Sequence, residues 1–192
     1  MTDEYVANVE QYREQKDKQF RSGDGSPLAR EQQGDSFPGL AYFPVDPDYW
    51  FQVPLSEHET KETITVETTA DGKREYLRWG EFTFEHGDDS YTLQAYRDSP
   101  DSDTLWVPFR DETNGEETYG AGRYLDLSES QHRTEDGWVV DFNLAYNPTC
   151  AYNEAYDCPL IPMENWLDVR IEAGEKAFPG EPVTLDDAKS PF

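Results

Sequence analysis

The chain has 192 residues, with 41 acidic and 16 basic side chains and a formal charge of −25. This length suits one domain with its own core, and this charge repels nucleic-acid phosphates and anionic lipid heads. The carboxylates are spread along the whole chain, which favours a protein of a salty, haloarchaeal-type cytoplasm over a mesophilic protein with an acidic tail.

The sequence predicts neither a membrane span nor a signal peptide, because no window holds 18 apolar residues and residues 1–20 are charged throughout. We therefore expect a cytoplasmic protein without nucleic-acid or membrane partners. Nothing in the sequence assigns a cofactor or an oligomeric state.

The amino end predicts one amphipathic α-helix over residues 3–20. Apolar and aromatic residues recur there at helical spacing among charged ones, and two glycines lie just beyond. Residues 22–48 are rich in Gly, Pro, Asp and Ser, which predicts an irregular connector laid over the core. We expect a single domain across residues 1–192, with a β core over 49–178 and a tail over 179–192.

Beyond the connector, alternating apolar residues and turn signals predict a series of strands. The strands are expected over 64–66, 73–84, 91–95, 105–109, 123–127, 138–142 and 166–172. Asp71-Gly72 and residues 86–89 predict hairpin turns, and a change of apolar parity around Gly80 predicts a β-bulge. The expected fold is mainly β, an antiparallel sandwich or barrel of about seven or more strands with one N-terminal α-helix.

Two connections, over residues 110–122 and 143–165, are longer than ordinary turns, and such loops are usually functional or disordered. The second, called the flap below, contains aromatic and proline residues that favour an ordered structure. We expect the flap to roof a polar and aromatic ligand pocket, with Arg123 and Asp141 on the strands that form its floor.

The two connections also contain long polar and aromatic strings. They read FRDETNGEETYGAGRYL over 109–125, DFNLAYNPTCAY over 141–152 and CPLIPMEN over 158–165. In these strings the chain resembles the domain-of-unknown-function family number sixteen eighty-four, whose hallmark is F-R-D-x-T-x-G-x-x-T-Y-x-x-G-R-Y-L, then D-F-N-x-A-Y-N-P-x-C-A-Y, then C-P-x-x-P-x-E-N. Weaker similarity covers 26–28, 39–44 and 173–176, and the resemblance implies no activity.

The chain departs from that family pattern at three positions. Members often carry a basic residue where this chain has Leu144 and Trp166, and a proline where it has Ile161. The loss of two positive charges makes a phosphate or carboxylate pocket a weaker expectation for this chain.

The ligand-binding candidates are polar residues of the same strings. They are Arg110, Asp111, Thr118, Tyr119, Arg123, Asp141, Asn143, Tyr146, Asn147, Tyr152, Glu164 and Asn165. The two arginines offer guanidinium forks to an anionic or planar ligand, or else pair with carboxylates and fasten the loop. Asp141 and the neighbouring amides act as base and orienting groups, or else tie down the turn that follows the strand.

Cys150 and Cys158 have seven residues between them, and they form either a disulfide or a pair of buried reduced thiols. A metal or catalytic role for them is a lesser alternative, because the three histidines show no metal-ligand spacing. Gly120-Ala-Gly122 lacks the third glycine of a dinucleotide loop. The function classes that remain are a small-molecule binding protein, an enzyme of unrecognised type, and a non-catalytic structural or protein-interaction module.

Overall fold

A computed structural model describes residues 3–185 of the chain, so the last part of the predicted tail, 186–192, lies outside the described residues. Helix α1 spans Asp3–Ser22 and buries Val9 and Phe20. Acidic residues in its first turn and Arg21 in its last turn suit the helix dipole. The helix ends two residues later than the sequence predicts. Within residues 3–185, no helix is long and apolar enough to span a membrane.

Eight strands form two antiparallel sheets. The larger is a meander of five strands in sequence order: β2 Leu55–Glu67, β3 Lys73–His86, β4 Asp89–Arg97, β5 Thr104–Phe109 and β6 Arg123–Ser128. The smaller has the order β1 Trp50–Val53, β8 Gly137–Asp141 and β7 Arg133–Thr134, and a short helix α2, Glu129–His132, joins the sheets. The predicted mainly β antiparallel fold is confirmed, without barrel closure among the described strands.

The main hydrophobic core lies between the two sheets. Alternate residues of each strand supply it, as the period of a pleated strand requires. Its fully buried members include Phe82, Leu93, Leu105, Val107, Phe109, Val140 and Phe142. A second cluster, centred on Phe20, Leu28, Phe37 and Tyr152, lies between α1, the connector and the flap.

The local turn predictions are confirmed. Asp71 adopts a left-handed backbone conformation with φ of 59° between β2 and β3, and Gly87 does so with φ of 65° between β3 and β4. The pairing of β3 with β4 shifts register between Arg78 and Gly80, so the bulge lies where the parity of apolar residues changes. A Cβ on Gly80 would approach the carbonyl oxygen of Ser56 to 2.8 Å, which explains the glycine.

The flap covers the outer face of the five-stranded sheet. Strand β4 is buried on both faces from Leu93 to Arg97, whereas a strand with one wet face would alternate. The flap contains short 3-10 turns over Phe142–Leu144, Thr149–Ala151 and Met163–Asn165, and it is ordered as predicted. Its residues, and not a second sheet, therefore close this side of the molecule.

The strand predicted over residues 166–172 is wrong. Only Trp166 in this range makes a ladder-type bridge, with Arg110, and the rest of the range is irregular. Backbone pairing with residues 110–112 stops at Val169, and side chains take the groups that follow: the carboxylate of Asp111 accepts from the Ile171 N–H at 3.3 Å, and Arg123 donates to the Ile171 carbonyl at 2.8 Å. Apolar alternation alone does not reveal that competition.

Candidate functional site

Arg123 lies at the centre of the protein with no exposed side-chain surface. Its guanidinium donates to Oδ2 of Asp111 at 2.7 Å and to the carbonyl oxygens of Ile171, Ala173 and Glu175. The other oxygen of Asp111 accepts from the backbone and hydroxyl of Thr113. This pair fastens the 110–122 loop to the 171–175 segment, and it presents no guanidinium to a ligand in this structure.

Asp141 and Asn143 fasten helix α1 and the connector to the end of β8. The hydroxyl of Tyr5 donates to Oδ2 of Asp141 at 2.8 Å, and the amide of Asn143 exchanges hydrogen bonds with the backbone of Asp46. Arg13 donates to the Asn143 carbonyl at 3.1 Å. Burial raises the pKa of Asp141, and the hydrogen bonds from Tyr5 and Asn143 oppose that rise.

Glu175 is a second buried anchor, with 1% of its surface exposed. It accepts hydrogen bonds from the Tyr152 hydroxyl and the Asn147 backbone, and Lys16 of α1 contacts it at 2.6 Å. Two further candidates, Tyr152 and Asn147, therefore serve the junction of helix, flap and carboxyl-terminal segment.

Asn165 and Glu164 hold the end of the flap on the sheet. The amide of Asn165 accepts from the Gln94 N–H at 2.8 Å and donates to the carbonyls of Gln94 and Pro108 at 2.9 and 2.7 Å. Glu164 accepts from the Tyr96 hydroxyl at 2.5 Å and pairs with Arg78 at 2.9 Å. Asn165 thus takes the place of a neighbouring strand for these backbone groups.

The other candidates of the 110–122 loop lie apart from each other. The guanidinium of Arg110 is 4.4 Å from the ring centre of Trp166, and Thr118 accepts from Asn114 inside the loop. Tyr119 lies beside Cys150. The structure does not bring the twelve candidates together: it distributes them over several anchoring clusters.

A polar concavity lies between helix α1, strand β6 and the start of the flap, and we call it the Asp126 cleft. It consists of two adjoining hollows of about 260 and 350 Å³ that share Tyr12, Asp126 and Tyr146. The first is also lined by Leu125, Leu127, Gln131, His132, Asp141 and Leu144, and the second by Gln15, Lys16, Gln19 and Phe20. Of the predicted candidates, Asp141 and Tyr146 line it, and Arg123 does not.

Strand geometry explains why Asp126 faces the cleft. Arg123, Leu125 and Leu127 are buried, and Asp126 lies on the opposite face of β6 with its side chain exposed. The hydroxyl of Tyr146 donates to Oδ2 of Asp126, while Oδ1 makes no hydrogen bond to residues 3–185. The surrounding protein raises the pKa of Asp126 and that of Tyr146, because it displaces part of the water that would hydrate the ionised groups.

His132 adds a hydrogen-bond donor to the same wall. The backbone N–H of Ser128 donates to Nδ1 of His132 at 3.0 Å, so the neutral ring carries its proton on Nε2. That Nε2 makes no hydrogen bond to the described residues, and the imidazole is close enough to lower the pKa of Asp126. The cleft therefore offers a carboxylate acceptor, an imidazole donor and phenol hydroxyls within one hollow.

Asp126 and His132 are absent from the sequence-based candidates. Asp126 directly follows the polar string over 109–125, but one acidic residue among 41 carries little signal. The available clue was its position between Leu125 and Leu127: if both leucines face the core, the residue between them points to the opposite face of the strand. Across residues 3–185, no group of three or more His, Cys, Asp and Glu side chains stands close enough to hold a metal ion.

Comparisons with known proteins identify relatives without a stated activity. The family model described as "Protein of unknown function (DUF1684)" matches residues 35–176. The solution NMR structure of an uncharacterized protein of Haloarcula marismortui is 39% identical, with a TM-score of 0.68, and the match covers 90% of this chain and 94% of that one. No curated protein matches the chain.

Proposed function

We propose that this chain, which belongs to the DUF1684 family, binds a small neutral or cationic polar molecule in the Asp126 cleft. The observation that carries the proposal is the convergence of an accessible Asp126 carboxylate oxygen, the Nε2–H of His132 and the Tyr146 hydroxyl on one hollow. A molecule with hydroxyl or amine groups can satisfy all of these groups at once. An anion is disfavoured because Asp126 and Asp141 both line the hollow.

The size of the cleft suits a small ligand. Its hollows lie at or just below the lower end of the volume range of ligand pockets, and aromatic faces of Tyr12, Tyr146 and Phe20 surround the polar groups. Lys16 is held 5.4 Å from the ring centre of Tyr146, a distance at which an aromatic ring attracts a cation. In pockets of this kind a few polar groups orient the ligand, and the apolar part of the ligand packs against the aromatic rings.

The test is a thermal-shift screen in molar KCl with separate sets of polyols and sugars, amines, and carboxylic acids, followed by calorimetry on each hit. A ligand that binds only the folded chain raises the melting temperature. Asp126→Asn removes a charge-assisted hydrogen bond of about 1.5–3 kcal/mol, so the Kd should rise roughly 10- to 150-fold. Asp101→Asn is the matched control, because Asp101 lies exposed in the turn before β5.

Two outcomes would refute the proposed site. Hits confined to carboxylic acids would contradict the charge argument, and a hit that Asp126→Asn and Asp101→Asn bind equally would place the ligand elsewhere. An uncharacterised enzyme at the same site would show turnover that Asp126→Asn lowers by more than the rise in Kd accounts for.

The alternative function is a non-catalytic structural or protein-interaction module. It is favoured by the anchoring contacts of Arg123, Asn143, Asn147 and Asn165, which fasten loops and not ligands. Under that alternative every ligand set leaves the melting temperature unchanged.

A further inference from the structure

Cys150 and Cys158 meet inside the flap as two free, buried thiols. The two thiols lie close enough to shift each other's pKa, and the backbone N–H of Cys150 donates to Sγ of Cys158 at 3.2 Å. The hydroxyl of Tyr119 lies 3.6 Å from Sγ of Cys150. The two sulfurs are thus held against each other by the native fold.

Each cysteine is anchored to a different part of the molecule. The backbone of Cys158 exchanges hydrogen bonds with Thr69 at 2.9 and 3.0 Å, which fixes it beside the turn between β2 and β3. Cys150 lies in the 3-10 turn Thr149–Ala151, next to Tyr152, which packs against Phe20 of α1. The contact between the sulfurs is therefore where the two halves of the flap meet.

We propose that Cys150 and Cys158 form a peroxide-reactive dithiol, in which Cys150 attacks a hydroperoxide and Cys158 then closes a disulfide. In the first step the Cys150 sulfur bonds to one peroxide oxygen, the O–O bond breaks, and the other oxygen leaves with a proton as water or an alcohol. In the second step the Cys158 sulfur displaces that hydroxyl from Cys150, and water leaves with the Cys158 proton. Both thiols are oxidised and one hydroperoxide is reduced; a small dithiol restores the pair.

The surroundings assign the order of the two cysteines. The hydrogen bonds from Cys158 and Tyr119 stabilise the thiolate and lower the pKa of Cys150 to about 7. The same contact raises the pKa of Cys158, which keeps its proton while Cys150 is ionised. Arg74 lies near Cys158 and Glu154 near Tyr119, so the charges around the pair are of both signs. The thiolate is the attacking form, hence Cys150 reacts first.

Burial restricts the oxidant. Cys150 and Cys158 are 6% and 7% exposed, so a small oxidant should reach them more readily than a bulky one. Hydrogen peroxide should therefore react faster than an aromatic hydroperoxide. This inference concerns the flap interior and does not depend on the Asp126 cleft.

The experiment treats the full chain in molar KCl with one equivalent of hydrogen peroxide and follows thiol content and intact mass. We expect loss of both thiols and of two hydrogen atoms, reversed by dithiothreitol. Cys158→Ser should stop at a sulfenic acid on Cys150, which the intact mass shows as the gain of one oxygen atom. Cys150→Ser should consume peroxide more slowly than Cys158→Ser, in which Tyr119 still contacts the Cys150 sulfur, with circular dichroism to check that both variants fold.

Three results would overturn the proposal. The first is that both thiols of the wild-type chain stay reduced under peroxide conditions that oxidise free glutathione, a result that requires no variant. Oxidation could yield sulfinic acid without a disulfide. The two serine variants could consume peroxide at equal rates.

Discussion

Replacing Arg123 with methionine tests whether the buried Arg123–Asp111 pair is structural. The substitution keeps the aliphatic stem but removes the donors to one carboxylate and three backbone carbonyls. Breaking a fully buried pair by deleting one partner costs about 3–5 kcal/mol, since the remaining charge loses its compensation. The stranded carbonyls add to that loss, so we expect at least about 4 kcal/mol out of the roughly 5–15 kcal/mol typical of a domain.

Urea unfolding in constant molar KCl, followed by circular dichroism and tryptophan fluorescence, measures the change without altering the ionic strength. Arg30→Met is the control, because Arg30 is exposed and should change the free energy of unfolding by less than about 0.5 kcal/mol. Adding Asp111→Asn to Arg123→Met should recover part of the loss by removing the orphaned charge. A cost below about 1 kcal/mol for Arg123→Met would refute the structural role and return Arg123 to the ligand-binding candidates.

Four further predictions concern other parts of the molecule. Gly122→Ala should lower the free energy of unfolding by about 2 kcal/mol or more in the same urea assay, because φ is 99° and the new Cβ would overlap the side chain of Ile161. An unchanged free energy of unfolding would contradict the close packing of the loop against the flap. Asn165→Leu should cost about 3 kcal/mol because the backbone groups of Gln94 and Pro108 lose their partner, and hydrogen exchange at Gln94 should rise. The free energy of unfolding should increase from dilute buffer to molar KCl as the Debye length falls from about 10 to 3 Å, and equal stability would refute a halophilic adaptation. The alkylation rate of Cys150 should rise with pH. In the wild-type chain the midpoint of that rise should lie near pH 7, and in the Cys158→Ser variant it should lie well above pH 7, because the hydrogen bond that favours the thiolate is weakened.

The strands and turns are predictable from the sequence because their causes are local. Turn glycines, the parity change around Gly80 and the alternation of apolar residues act within a few positions of the chain. The missed strand β1 has only four residues, Trp50–Val53, and it exists because residues 138–141 pair with it. That pairing depends on residues almost ninety positions away, which no local pattern encodes.

The site is less predictable than the fold for a related reason. Functional sites often use side chains such as those of Arg123, Asp141 and Asn165. Here each of these side chains instead hydrogen-bonds to a backbone group that no neighbouring strand pairs with. Asp126 has an ordinary sequence context, and the cleft around it depends on α1, more than a hundred residues earlier in the chain, and on Tyr146 of the flap. Side-chain type alone therefore does not separate an anchor from a binding group.

The fastening of helix α1 has a consequence for the order of folding. Tyr5, Arg13 and Lys16 are held by residues 136, 130 and 159 positions further along the chain. At a synthesis rate of about 5–20 residues per second, those partners leave the ribosome roughly 7–30 s after the helix. Through that interval α1 has only its contacts with the connector, and a helix of 20 residues that buries only Val9 and Phe20 is marginal in water. Helix α1 consequently acquires these long-range contacts late in synthesis, and chains that end before Glu175 lack an acceptor for Lys16.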